Sequence, residues 1–307
     1  MSKLTLFINK FIPQRLERKI RTFRDKNLRS YKIEKLPAEI YTPKKFYSIS
    51  LCITCMNRLF HLKETIEQNI KDNASYPNIE FVLIDYNSQD GLEEYVKANL
   101  MSYIDKGILT YYKTKEPQKF HASYAKNLSH TLAKGEVICN LDGDNYTGKD
   151  FAYYLNYLFN QKGTNNIYQF FKRPYWGTVG RLSFYKQNFL KLGGYDESLL
   201  PIGHEDLDLV NRAKAMGIPL DQTQIENFLK YLSNTTKEKA ENCTDTDEDY
   251  YSLVHANIQI STENIRNGQL KANPDGMKNF VVYRNFQAQP LNSKDLIEQY
   301  SRNIYSN

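Results

Sequence analysis

Two aspartates one residue apart, Asp142 and Asp144, end the apolar run EVICNLDGDN at 136–145. Val137, Ile138 and Leu141 read as a short buried strand, and Gly143 lets the chain turn sharply beyond it. Two close carboxylates repel each other unless a cation or water satisfies them, and as hard oxygen donors they can hold a divalent cation. An ordinary Asp-Gly turn is the plainer reading of the same residues. A second acidic group follows in GHEDLDLVNR at 203–212, where His204, Glu205, Asp206 and Asp208 open a helix with Leu207, Val210 and Met216 on one side. Gly217 and Pro219 stop that helix. Acids at a helix start are favoured by the dipole and by unpaired N–H groups, and Asp208 with Arg212 has the spacing of an i,i+4 pair. Three acids and a histidine within five residues exceed what capping needs. A carboxylate held ionised there can take the proton of an attacking hydroxyl.

The elements that must position these acids alternate between strand and helix patterns, which predicts an α/β fold with a mostly parallel sheet. The run at 47–54 reads as a strand ending in the polar turn Met56-Asn57-Arg58, and 62–70 as a helix with Leu62, Ile66 and Ile70 on one side. A second strand at 79–84 stops at Asp85-Tyr86-Asn87-Ser88-Gln89-Asp90-Gly91, with a helix at 92–100 after it. A third strand is expected at 108–112 and a helix at 121–133 before the strand that leads to Asp142. Polar groups thus gather at the carboxyl ends of parallel strands, the ligand crevice of an open α/β sheet. There Asp85 can accept from a nucleotide base or ribose, and Asn57 and Arg58 can reach base or phosphate. No G-x-x-x-x-G-K-[ST] occurs and no G-x-G-x-x-G follows the first strand, which argues against P-loop and dinucleotide chemistry.

The 307 residues allow one large domain with appendages, and 41% hydrophobic with 25% charged residues is a globular composition rich in Tyr and Phe. Thirteen basic residues against four acidic ones give segment 1–45 a charge of +9, so a total of +6 leaves −3 for the body. A basic leader on a mildly acidic body argues against a nucleic-acid-binding body. Leu4, Phe7, Ile8, Phe11, Ile12, Leu16, Ile20, Phe23 and Leu28 give residues 1–35 a basic amphipathic pattern, suited to an anionic membrane surface or to packing on the protein's own body. The apolar starts before Lys10 and Pro13 are too short for a signal or a spanning segment, so a cytoplasmic protein at the inner membrane face is expected. Cys52, Cys55, Cys139 and Cys243 fit buried thiols better than a disulfide framework or a zinc site. Asn127, Asn234 and Asn242 begin N-x-S/T sequons.

Three stretches in order, VLIDYNSQDG at 82–91 after a strand ending in Asn-Arg, AKNLSHTLAKGEVICNLDGDN at 125–145, and GGYDE at 193–197 followed by GHEDLDLVNR, resemble family 2 glycosyltransferases of the GT-A fold. The likeness is to those with a galactosyltransferase-type carboxyl-terminal segment and spans about 47–219. It implies a domain at 46–286, with a nucleotide-sugar half at 46–145 and an acceptor half at 146–286, followed by a tail at 287–307. It further implies an inverting, hexosyltransferase-type reaction from a UDP-sugar to a hydroxyl of a glycan or lipid-linked glycan in surface polysaccharide synthesis. Asp142 and Asp144 become the D-x-D pair that holds Mn²⁺ or Mg²⁺ against the diphosphate, with His255 as a further metal ligand on an apolar strand. Asp206 becomes the general base, with Glu205 contacting acceptor or donor sugar. Asn57, Arg58, Asp85, His121, Lys126, Asn127 and Asp142 fall on the donor side; Tyr175, Trp176, Gly177, His204 and Asp208 fall on the sugar and acceptor side. The polar stretch 221–250 reads as an insertion, either a lid or a solvated surface segment. A nucleotidyltransferase and a non-catalytic sugar-nucleotide-binding protein on the same fold are the competing functions.

Overall fold

The computed structural model describes residues 33–173, 175–243 and 250–305. Most of the basic amphipathic leader therefore lies outside the described residues. In chain order the elements are β1 (Ile49–Cys55), α1 (Leu59–Asn73), β2 (Ile79–Tyr86), α2 (Leu92–Asn99), α3 (Met101–Asp105), β3 (Leu109–Thr114), α4 (Ala122–Leu132) and β4 (Val137–Asn140). They continue with α5 (Phe151–Lys162), β5 (Ile167–Phe170), β6 (Leu182–Tyr185), α6 (Lys186–Lys191), α7 (Glu205–Ala215), β7 (Leu220–Thr223) and α8 (Thr236–Ala240). The last are α9 (Tyr250–Arg266), β8 (Val281–Arg284), β9 (Leu291–Asn292) and α10 (Ser293–Tyr305).

The strands lie in the order β7-β5-β6-β4-β1-β2-β3-β8-β9. β4, β1, β2 and β3 run parallel, with Ile49 opposite both Ile79 and Val137, and this is the part the alternating pattern predicted. The flanks are mixed: β6 runs antiparallel to β4, and β8 antiparallel to β3. Strands buried on both faces need apolar runs without alternation, and β1 and β2 have them. Leu51, Ile53, Phe81 and Leu83 face one layer, built on Leu62, Ile66 and Ile70 of α1, Val96 of α2 and Phe151, Leu155 and Phe159 of α5. Cys52, Val82 and Ile84 face the other, built on Ala125, Leu128 and Leu132 of α4, Leu209, Val210 and Ala213 of α7 and Leu296 and Tyr300 of α10. The tail, which carries no legible motif, is thus part of the second core, and the Tyr112 and Tyr300 hydroxyls meet at 2.9 Å.

All four cysteines are free and buried, as their spacing suggests. Among the described residues no helix is long and apolar enough to cross a membrane.

The described part of the stretch after β7, residues 224–243, is not a solvated segment. Phe228 and Leu229 are fully buried beside Phe151, Tyr154 and Phe170, and Asn145 forms a bridge with Tyr231. Its short helix α8 starts on a capping box: the Thr235 hydroxyl accepts from the Glu238 amide at 3.0 Å, while the Glu238 carboxylate accepts from the Thr235 amide at 2.7 Å.

Candidate active site

The parallel strands end on a common edge, and the loops there line a cavity of about 570 Å³. Four segments supply its polar groups: Arg58 after β1, Lys126 in α4, Asp142 and Asp144 after β4, and Glu205 and Asp206 at the start of α7. Each is placed by packing. The apolar face of α4 presses Ala125, Leu128 and Leu132 into the core, which fixes Lys126 on the helix side toward the cavity. The α7 start is set by Gly203 and His204, both with positive φ, of 94° and 70°. A side chain at Gly203 would also strike Val254 of α9, its Cβ 2.5 Å from that residue's Cγ2.

The two acidic groups of the sequence meet at Gly180. A Cβ built there would stand 2.6 Å from Asp206 Oδ2 and 3.2 Å from Asp142 Oδ2, so both carboxylates press against the same backbone and no side chain fits between. Asn140 fastens this arrangement, its amide donating to Asp142 Oδ1 at 3.0 Å and to the Gly180 carbonyl at 3.0 Å. Lys126 is buried and donates to Asp206 Oδ1 at 2.7 Å and to Glu205 Oε1 at 2.9 Å. Burial alone would lower the lysine, but Asp206, Glu205 and Asp142 together hold it well above its ordinary value and therefore charged. Burial likewise opposes ionisation of Glu205, yet Lys126 outweighs it and keeps that carboxyl below the usual range. Asp206 goes the other way. Burial lifts it to about 7, Glu205 and Asp142 add to the lift, and Lys126 opposes it. Lys126 thus keeps Glu205 ionised, while burial and the neighbouring carboxylates leave Asp206 poised to gain or lose a proton near neutrality.

Asp142 and Asp144 are both raised by burial; Asp142 is raised further by the charge of Asp144, while Arg58 works against the rise at Asp144. Asn145 donates to Asp144 Oδ1 at 2.6 Å and Asn234 donates to Oδ2. Among the described residues no group of three or more His, Cys, Asp or Glu is placed to enclose a metal ion. Two half-buried carboxylates whose charge lacks a full counterweight suit a hard cation that completes its shell with water and phosphate oxygens. The residues present fit such a cation shared with a phosphorylated ligand.

Several expected residues stand elsewhere. Asp85 is fully buried and lies outside the cavity wall, its carboxylate accepting from Tyr111 Oη at 2.6 Å and from the Ser88 amide at 2.7 Å. Asn127 turns inward to Tyr195 and Glu197, and His121 Nε2 lies 3.0 Å from the Leu199 carbonyl, so neither lines the cavity. Lys126 faces the α7 acids. Asn57 adopts positive φ and bonds Asn242 and the Gln89 amide at the cavity's edge. Asp208 is fully buried between Arg212 Nε and Ser261 Oγ, each at 2.8 Å, and joins α7 to α9 without facing the pocket. His255 sits on a helix, α9, and not on a strand; it is exposed, faces Gln259 and is no part of the cavity wall. Trp176, Gly177 and His204 do line it, whereas Tyr175 is buried beneath.

The sequence reading allowed the insertion to be a lid over the site but named none of its residues as part of the site. Arg58 donates through Nη1 to Asn234 Oδ1 at 2.8 Å and through Nη2 to the Glu238 carbonyl; the Asn242 amide donates to the Met56 carbonyl at 3.3 Å. Two of the three sequon asparagines are therefore latches between the insertion and the β1 loop, and the third, Asn127, is buried. Only their amide chemistry, not the sequon, was a signal.

The parallel centre, mixed flanks and acidic site at the strand ends have the GT-A architecture. The glycosyl transferase family 2 model matches residues 50–208, and the chain belongs to that family. Among solved structures, it is similar to glucosyl-3-phosphoglycerate synthase from Mycobacterium tuberculosis in complex with Mn²⁺, UDP and phosphoglyceric acid, at 13% identity and a TM-score of 0.51 over 76% of this chain and 83% of that one. TarS 1-349 from S. aureus in complex with UDP-GlcNAc gives 13% identity and a TM-score of 0.50 over 72% and 67%. A mannosyltransferase from Pyrobaculum calidifontis, in complex with GDP-Man and Mn²⁺, gives 19% identity and a TM-score of 0.48; the alignment covers 72% of this chain and 65% of that one. At these identities the likeness is one of fold. No curated protein matches the chain.

Proposed function

We propose that this glycosyltransferase moves a hexosyl group from a UDP-sugar to an acceptor hydroxyl with inversion, Asp206 acting as base and Asp142 with Asp144 holding Mn²⁺ or Mg²⁺. The observation that supports the reading is the meeting of Asp142 and Asp206 at Gly180, two carboxylates side by side on the cavity that would serve as cation ligand and proton acceptor. Structures of the same fold bound to UDP or UDP-GlcNAc support the choice of donor. Arg58 and the metal-site acids then face the diphosphate. When bound, the cation would stabilise the negative charge that grows on the departing diphosphate. The acceptor oxygen bonds to the anomeric carbon as its proton passes to Asp206, and the bond to the diphosphate breaks on the opposite face. Glu205 holds Lys126 beside the base, and Trp176, Gly177 and His204 form the sugar and acceptor wall. We read 193–212 as the galactosyltransferase-type segment and the product as a surface glycan or glycolipid, with residues 1–35 as a membrane contact.

UDP release across a UDP-sugar panel with Mn²⁺ tests this reading. We expect release with one donor, loss of it in Asp142→Ala with Asp144→Ala, and loss of transfer in Asp206→Asn. Full activity in either variant overturns the corresponding role.

A further inference from the structure

Asn234 stands between two kinds of charge in the cavity. Its carboxamide oxygen accepts from Arg58 Nη1 at 2.8 Å, and its amide donates to Asp144 Oδ2. One neutral side chain thus joins the guanidinium that the proposed function turns to the diphosphate and a carboxylate that it gives to the cation. The backbone on either side is fixed: the Leu232 amide donates to the Asp144 carbonyl at 2.7 Å, and Thr235 opens α8 with its capping box. The Asn234 side chain itself is half-buried on the cavity wall. A terminal carboxamide torsion is broad and roughly two-fold, so a half-turn exchanges oxygen and nitrogen without moving the chain. Asn145 makes the contrast. Its amide also reaches Asp144, at Oδ1, but it donates to the Gly177 carbonyl at 3.0 Å as well, and its oxygen accepts from the buried Arg181 Nη2 at 2.8 Å. A half-turn there would set an amide against a guanidinium in the core, so Asn145 is locked. Both partners of Asn234 line the cavity instead.

An amide N–H aimed at Asp144 suits the carboxylate alone and opposes a cation bound beside it, whereas a carboxamide oxygen is a hard donor that such a cation takes among its ligands. Among the described residues no histidine, cysteine or further acid is placed to join Asp142 and Asp144 around an ion, and His255 is exposed and faces Gln259. Resting on the transferase reading above, we propose that Asn234 is a two-position switch that couples cation binding to the release of Arg58. Without the cation, its oxygen holds Arg58 and its amide holds Asp144. With a divalent cation on Asp142 and Asp144, the carboxamide turns its oxygen to the cation and its amide toward Arg58. A guanidinium has five donors and no acceptor, so that amide cannot bond it. Arg58 Nη1 is then free for a phosphate oxygen, while Nη2 is still steadied by the Glu238 carbonyl. One side chain thereby sets the order of loading, cation before diphosphate.

Two binding measurements on the full chain test the switch without any transfer. Mn²⁺ is titrated without nucleotide, the free ion being followed by electron paramagnetic resonance. Inorganic pyrophosphate is titrated calorimetrically in EDTA, so that no particular base is assumed. Asn234→Ala removes a cation ligand and leaves Arg58 Nη1 without its partner. We expect its Mn²⁺ affinity to fall at least fivefold while metal-free pyrophosphate binds at least threefold tighter. Adding Arg58→Ala to Asn234→Ala should abolish that gain. Asn234→Asp keeps an oxygen for the cation and a partner for Arg58, so Mn²⁺ affinity should return to the parent's or beyond it without the gain in pyrophosphate. Melting temperatures check that the variants are folded. A part in folding alone would lower both affinities together or move neither, and either result overturns the proposal. Mn²⁺ affinity in Asn234→Ala at or above the parent's also overturns it and makes Asn234 a latch that the cation displaces, as does a parent that binds no Mn²⁺. Neither measurement uses a nucleotide sugar or an acceptor, so loss of the switch leaves the UDP-release result standing, and a chain that releases no UDP can still show both shifts.

Discussion

In the proposed reaction Asp206 takes the proton of the acceptor hydroxyl. Its carboxyl sits at about 7 because burial raises it, and a base works only when ionised. The rate under kcat/KM conditions should therefore rise about tenfold per pH unit below that value and level off above it. Lys126 lowers Asp206, so Lys126→Met should move this limb to higher pH, whereas a cation bound at Asp142 moves it to lower pH. A pH–rate profile of the variant checks the sign, and an unmoved limb would assign it to another group. Asp206→Asn keeps the shape but cannot accept the proton, and kcat should fall about 10²–10⁴-fold. Gly180 matters for a different reason. Gly180→Ala introduces a methyl group 2.6 Å from Asp206 Oδ2, so the two carboxylates must part; we expect a loss in kcat of at least about tenfold, with a melting temperature close to that of the parent showing that the chain still folds.

At the scale of elements, α7 and α9 are held together by the buried Asp208–Arg212 pair and Ser261. Removing one partner leaves an uncompensated charge in the core. Asp208→Ala should cost about 3–5 kcal/mol in denaturant unfolding while folded enzyme keeps its pH–rate profile, because Asp208 does not reach the cavity. A changed profile with unchanged stability would return it to the pocket. The insertion is held at two levels, by Phe228 in the core and by Asn234 and Asn242 at the β1 loop. Phe228→Ala should cost about 3–5 kcal/mol in the same measurement, since a buried aromatic leaves a cavity that its neighbours fill poorly.

For the molecule as a whole, ligands that bind the native state add stability by mass action. UDP with Mn²⁺ at one hundred times Kd should add about 2.7 kcal/mol. In a chain of this size that raises the melting temperature by about 4 °C. EDTA should remove both this shift and transfer, and Asp142→Ala with Asp144→Ala should show neither. A full shift in EDTA would mean that the nucleotide is held without the cation.

Local pattern was enough for the parallel centre of the sheet, for the helix that starts at Glu205, and for the two acid groups, because strand periodicity, helix stops and charge spacing are written in neighbouring residues. The family's order of motifs was legible for the same reason. Long-range packing decided the rest. Whether Asp85 faces a ligand or Tyr111, whether Asp208 lines a pocket or binds Arg212, and whether the helix or a strand carries His255 depend on neighbours tens of residues away. The same holds for Lys126, which spacing allowed to face phosphate and folding turned to the α7 acids. By itself the sequence determined that Asp142 and Asp206 belong to a sheet-edge site. Only the tertiary structure decided that they meet at Gly180 and that the insertion latches onto the β1 loop, since each of these is a contact between segments that the chain brings together only on folding.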